Sequence, residues 1–188
     1  LVSEGLEKGI FTKSDGAVIY EGSKHDLHDR VFLNKKGFPT YEAKDLALAE
    51  MHFADFSPHK VVHVVGKEQT EYFKVVFSAL SQLVPQTTGK EYHLPGGYLQ
   101  LKGDKKMSSR LGNIITGDAL IFEVEKKVRE IMSGDLDRAY SEDVLQKVST
   151  SALKYAMLKS DVSQDVAFDM ETSVSTSGES GPYLLYIV

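Results

Sequence analysis

Tyr41 and Asp45 stand four residues apart in the stretch "PTYEAKDLALAE". On a helix that spacing puts a phenol and a carboxylate on one face. Together they could hold a guanidinium or an ammonium group, and a carboxylate meets a guanidinium through two parallel hydrogen bonds. The same pair also fits a solvated helix surface with a half-buried tyrosine. A second polar group follows at "GKEQTEY": Gly66, Glu68 and Gln69 lie just after an apolar run. In an open α/β sheet, ligands bind at the carboxyl ends of the strands. There Glu68 could accept from ribose hydroxyls and Gln69 could bond an amino or carboxylate group. Taken alone, these residues read first as an ordinary polar helix start, with Glu68 favouring the dipole. A third group is "KKMSSRLGN", residues 105–113, where Lys105, Lys106, Met107, Ser108, Ser109 and Arg110 follow one another with no apolar period. Mobile lysines and hydroxyls suit a polyphosphate whose charge grows in a transition state. A Walker A loop, G-x-x-x-x-G-K-[ST], occurs nowhere in the chain.

The elements that must position these residues are legible as an alternation of strand and helix. "AVIYEG" and "RVFLNKKGFP" read as strands joined by a polar loop. Thr40 is placed to cap a helix running to about residue 53, with Glu42 in its first turn. "KVVHVVG" is a short apolar run closed by glycine, the pattern of a fully buried parallel strand. Tyr72, Val75, Val76, Ala79 and Leu83 then recur at helical spacing, completing a βα unit. "EYHLPGGYLQL" reads as two strands around a Pro-Gly-Gly turn. Beyond the basic loop, Thr116 and Ser141 cap two helices, one carrying Leu120, Val124, Val128 and Ile131, the other Leu145, Val148, Ala152 and Tyr155. The fold class is therefore α/β. Residues 1–115 form the α/β part, with the loop at 104–113, and residues 116–188 are mainly helical.

Composition bounds the rest. The chain has 188 residues and is 41% hydrophobic, which predicts a folded globular protein. Its 22 basic and 27 acidic residues give a net charge of −5, so any nucleic-acid contact comes from a local patch. The absence of cysteine excludes disulfides and thiolate-ligated metals, and fits a cytoplasmic setting. No apolar run approaches the roughly 18 residues of a membrane span. His25 and His28, in "KHDLHD", read as solvated rather than metal-binding. The chain opens on Leu1 and stops within the apolar "GPYLLYIV", so it reads as a piece of something longer.

The string "KMSSR" resembles the Lys-Met-Ser-Lys-Ser signature of class I aminoacyl-tRNA synthetases. Its context is similar to the arginyl-tRNA synthetase family. "DGAVIYEG", "DRVFLNKKGFPTYEAKDLALAE", "VVHVVGKEQTEYF", "YHLPGGYLQLKGDKKMSSRLGNIITGDAL" and "SVSTSGESGPYLLYIV" match that family's segments in order over most of the chain. The resemblance implies the second half of a Rossmann-like nucleotide-binding domain, followed by a helical segment leading toward an anticodon-binding domain. It implies an arginine–tRNA ligase that makes arginyl-adenylate from L-arginine and ATP with Mg2+, then charges its cognate tRNA. Tyr41, Asp45 and Gln69 would contact arginine. Gly66, Glu68, Lys105, Lys106 and Met107 would contact ATP, with glutamate at Glu68 where the family carries aspartate. Lys106, Ser108 and Ser109 would serve the chemistry, Lys106 stabilising the departing pyrophosphate. Ser109 stands where the signature has its second lysine, and Lys105 or Arg110 could share that charge. The family's other signature, His-x-Gly-His, does not occur in the sequence, so the isolated chain is expected to be inactive. A non-catalytic arginine- or nucleotide-binding module derived from a class I synthetase is the alternative. A class I synthetase for another amino acid is a weaker one, since an apolar substrate would leave Asp45 unpaired.

Overall fold

The structure, a computed structural model, describes residues 1–102, 116–134 and 140–187. Two compact units divide the chain, Leu1–Gly96 and Gly97–Val188.

The first unit begins with a short helix, α1 (Val2–Glu7), and an antiparallel meander, β1 (Thr12–Ser14), β2 (Ala17–Tyr20) and β3 (Arg30–Leu33). A tight turn after β3 returns the chain beside itself. Asn34 Oδ1 accepts from the backbone N–H groups of Lys36 (2.9 Å) and Phe38 (3.1 Å), and Gly37 takes the left-handed conformation the turn needs. Thr40 thereby lands alongside β3, and α2 (Tyr41–Phe56) starts there. The parallel strand β4 (Val61–Gly66) leads through a single 3-10 turn, Lys67–Gln69, into α3 (Thr70–Leu83) and back to β5 (Glu91–Gly96). The core is assembled from the meander and the inner faces of both helices: Phe11, Tyr20 and Phe32 interlock with Leu46, Val75, Val76 and Leu80. Burial of such side chains contributes on the order of 1.5–3 kcal/mol each.

In the second unit β6 (Leu99–Leu101) pairs in parallel with β7 (Val166–Phe168), and helices α4 (Gly117–Ser133), α5 (Glu142–Leu158), α6 (Met170–Ser173) and α7 (Gly181–Ile187) complete it. Thr116 and Ser141 cap α4 and α5 as their sequences predict, accepting from Ala119 N–H (3.2 Å) and Val144 N–H (3.4 Å). Leu120, Val124 and Val128 of α4 pack with Leu145, Ala152, Leu153 and Ala156 of α5 around Phe168. Arg129 clamps Glu142 with two 2.7 Å bonds across the two helices.

Three sequence expectations fail on tertiary grounds. The strands of "EYHLPGGYLQL" do not pair with each other: β5 joins β4, and β6 joins β7. Gly97 makes the change of partner feasible. Its N–H bonds Val162 O at 2.8 Å, and a Cβ there would sit 1.9 Å from Gln164 O. Thr40 holds the N-cap position of α2 yet makes no capping bond. Its hydroxyl donates to Val31 O (2.7 Å) and Phe32 O (3.2 Å), because the turn has already brought it against β3. Finally, β4 is not fully buried. Val61, His63 and Val65 are at least partly covered, His63 lying against Phe73 and Phe77 of α3, while Val62 and Val64 are exposed, Val64 by 67%.

Candidate functional site

One cavity of about 540 Å3 in the first unit gathers most of the polar residues singled out from sequence. Tyr41, Glu42 and Asp45 reach it from α2, Glu68 and Gln69 from the turn after β4, Arg30 from β3, His63 from β4, and Tyr72 and Phe73 from α3. Two strands and two helix N-terminal turns therefore converge on it, as the βα unit requires.

Asp45 is half-buried and accepts a hydrogen bond from the Tyr72 hydroxyl at 2.6 Å. Tyr41 is 77% exposed, with Lys44 Nζ 5.5 Å from its ring centroid. The alternative reading, a half-buried Tyr41, does not hold: its ring forms the rim, and the residue directly on Asp45 is Tyr72. Burial, and next the Asp45 hydrogen bond, push the Tyr72 phenol far above its ordinary pKa. Tyr72 therefore stays a donor at every physiological pH. Its ring packs edge-on to Phe73 (5.2 Å, 87°), and the Arg30 guanidinium lies 5.2 Å from its centroid. Arg30 Nη1 in turn reaches Glu42 Oε1 at 3.2 Å.

The turn from β4 to α3 is held by the Thr70 hydroxyl, which donates to Lys67 O at 2.7 Å. Gln69 occupies the N-cap position of α3 without spending its side chain on a capping bond. Gly66 does not itself line the cavity. Its role is spatial: a Cβ there would lie 2.2 Å from Glu68 Oε2 and 2.5 Å from Oε1. The glycine leaves open the place that the Glu68 carboxylate fills. Behind these residues His63 Nε2 lies 2.6 Å from Glu91 Oε2, whose side chain is 4% exposed, and Phe73 stacks on His93 at 4.9 Å.

The wall carries three carboxylates (Glu42, Asp45 and Glu68) against one guanidinium, Arg30, which is engaged by Glu42. A cation is the ligand such a balance favours.

Sequence reasoning missed Tyr72, Arg30 and the His63–Glu91 pair. Tyr72 is written into the same heptad-like spacing as the core residues Val75, Val76 and Ala79, which hides its polar end. Arg30 and Glu91 reach their partners across 12 and 28 residues, with no local signal. Lys105, Lys106, Met107, Ser108 and Ser109 lie outside the described residues. His25 and His28 are exposed, the His25 ring lying parallel to Tyr20 at 5.6 Å, and the described residues contain no cluster of three or more metal-ligating side chains. No described helix is long and apolar enough to cross a membrane.

An arginine–tRNA ligase of Amoebophilus asiaticus is 33% identical over 192 residues, covering 99% of this chain and 32% of its own length. One from Parabacteroides distasonis is 32% identical over 191 residues, with 98% and 32% covered. The chain thus spans about a third of the length of the curated relatives it matches. Among solved structures, Thermus thermophilus arginyl-tRNA synthetase superposes with a TM-score of 0.81 at 20% identity, over 98% of this chain and 37% of that one. The Plasmodium falciparum arginyl-tRNA synthetase gives 0.74 at 18% identity, over 98% and 32%. These two likenesses establish the fold. The family model described as "tRNA synthetases class I (R), catalytic domain" matches residues 1–170, and the chain belongs to that family.

Proposed function

We propose that this chain is the arginine-holding part of an arginine–tRNA ligase, and that the α2–α3 cavity takes the substrate's guanidinium. The observation that carries the reading is Asp45, half-buried on the cavity wall with Tyr72 on one oxygen and an excess of carboxylates around it. Tyr41 lies over the guanidinium and Gln69 meets the amino-acid end. Gly66 and Glu68 contact the ribose of ATP, which arrives as its Mg2+ complex. Lys105, Lys106 and Met107 contact the phosphates, and Lys106, Ser108 and Ser109 act on the leaving group. This part of the reading rests on family membership.

In the reaction so assigned, an arginine carboxylate oxygen attacks the α-phosphorus of ATP. A carboxyl–phosphate bond forms, the bond to the β-phosphate's bridging oxygen breaks, and pyrophosphate leaves. The arginyl group then passes to a hydroxyl of the terminal ribose of tRNA, releasing AMP. No covalent intermediate with the protein is required; orientation and charge stabilisation supply the acceleration. Residues 1–115, with the loop at 104–113, are assigned the substrate contacts. Residues 116–188 are assigned the passage toward tRNA-binding parts, in a cytoplasmic enzyme.

Calorimetric titration of the chain with L-arginine tests this. Wild type binds, and Asp45→Ala weakens binding by about 100-fold, the usual loss when a hydrogen-bonded charge pair is truncated. Equal affinity in the two proteins would remove the guanidinium from this cavity.

A further inference from the structure

We propose that Tyr72 is a positioning residue that makes the cavity select a planar guanidinium over a primary ammonium, by fixing the plane of the Asp45 carboxylate. The inference rests on the guanidinium reading above and concerns how that site discriminates.

A guanidinium fork needs one lone pair from each carboxylate oxygen, both directed the same way in one plane. An ammonium is a point charge with rotatable donors and is satisfied by either oxygen at almost any angle. Rotation of the carboxylate about its own bond therefore harms arginine binding and hardly affects lysine. Asp45 Oδ2 accepts the Tyr72 hydroxyl at 2.6 Å, which stops that rotation. One lone pair of Oδ2 and both of Oδ1 remain, enough for a bidentate fork. Tyr72 can act as a fixed post because its ring is itself fixed. Phe73 meets it edge-on at 5.2 Å and 87°, and Arg30 sits 5.2 Å from its centroid on the 3.2 Å bond to Glu42. The hydroxyl cannot become a competing anion, since burial and the carboxylate beside it keep it protonated. Arg30 also spends Glu42 as its own counter-ion. Asp45 is the wall carboxylate that Tyr72 holds.

Tyr72→Phe removes the hydroxyl and keeps the ring, its contact with Phe73 and the stacking of Arg30. Titration of this variant with L-arginine and with L-lysine is the test, run beside Asp45→Asn and the double variant. Tyr72→Phe is expected to weaken arginine about tenfold, the ordinary loss for a hydrogen bond to a charged group, and lysine by less than about threefold. In the Asp45→Asn background the same change has no further effect on arginine. Equal losses for both ligands, unchanged arginine affinity, or an undiminished loss in the Asp45→Asn background would each overturn the positioning role while leaving the guanidinium site intact. Arginine binding that survives Asp45→Asn unweakened, or a wild-type chain that does not bind arginine, overturns the site itself and this inference with it.

Discussion

Thr40→Asp is the substitution whose sign separates this structure from its sequence. By N-cap preference alone, aspartate is at least as good as threonine, and the change should be neutral or slightly stabilising. The structure gives the opposite sign. Thr40 Oγ1 is a donor here, to Val31 O at 2.7 Å and Phe32 O at 3.2 Å, and caps nothing. Aspartate has no hydrogen to give, and its charge would face two carbonyl oxygens with Glu42 two residues on. Phe32 O keeps the Thr40 backbone N–H at 3.0 Å, so one tie between β3 and α2 persists. The site is only partly buried, which lets the new carboxylate turn toward water. Loss of one or two neutral hydrogen bonds, partly relieved by solvent, amounts to about 1–2 kcal/mol of destabilisation. Urea unfolding followed by circular dichroism measures it as a lower midpoint at unchanged slope. Thr40→Ser, which keeps the donor, stays within about 0.5 kcal/mol of wild type. A Thr40→Asp protein as stable as wild type, or more so, would refute the hydrogen-bond assignment at this junction.

Other substitutions give equally definite outcomes. Gly97→Ala drives a Cβ to 1.9 Å from Gln164 O and should cost more than about 2 kcal/mol, while Gly96→Ala, whose Cβ meets only Val65 O at 3.6 Å, should be tolerated by the same urea measurement. Gly66→Ala displaces only the flexible tip of Glu68, so stability should move by less than about 1 kcal/mol while ATP binding weakens, read by nucleotide titration. Glu142 has its pKa lowered, first by the Arg129 hydrogen bonds. A depressed carboxylate binds fewer protons folded than unfolded, so its contribution is present above the ordinary value near 4.3 and fades as pH falls through the lower folded value. The difference in urea midpoint between wild type and Glu142→Gln should therefore be present at neutral pH and close under acid. A difference constant across that range would contradict the assignment.

What the sequence made legible was local. Helical spacing and the caps Thr116 and Ser141 delimit α4 and α5, and the apolar run closed by Gly66 delimits β4. Tyr41, Asp45, Glu68 and Gln69 do meet in one cavity, since the ends of a βα unit and the first turn of a neighbouring helix are brought together by that topology. What stayed hidden depends on distance along the chain. The Tyr72–Asp45 bond spans 27 residues and the His63–Glu91 pair 28, and neither has a local pattern. The Pro-Gly-Gly segment looks like a hairpin because turn residues mark a bend without saying which strands pair. Gly97 serves there as clearance beside Gln164. Thr40 reads as a cap because residue type reports a hydroxyl and not the direction of its hydrogen.

The central claim is that Asp45 holds the guanidinium of arginine. A crystal structure of the chain soaked in L-arginine measures that contact itself. The account predicts the guanidinium in the α2–α3 cavity, paired with both Asp45 oxygens, while the Tyr72 hydroxyl stays on Oδ2. Arginine bound with its guanidinium away from Asp45, or its α-carboxylate in that place, would contradict it.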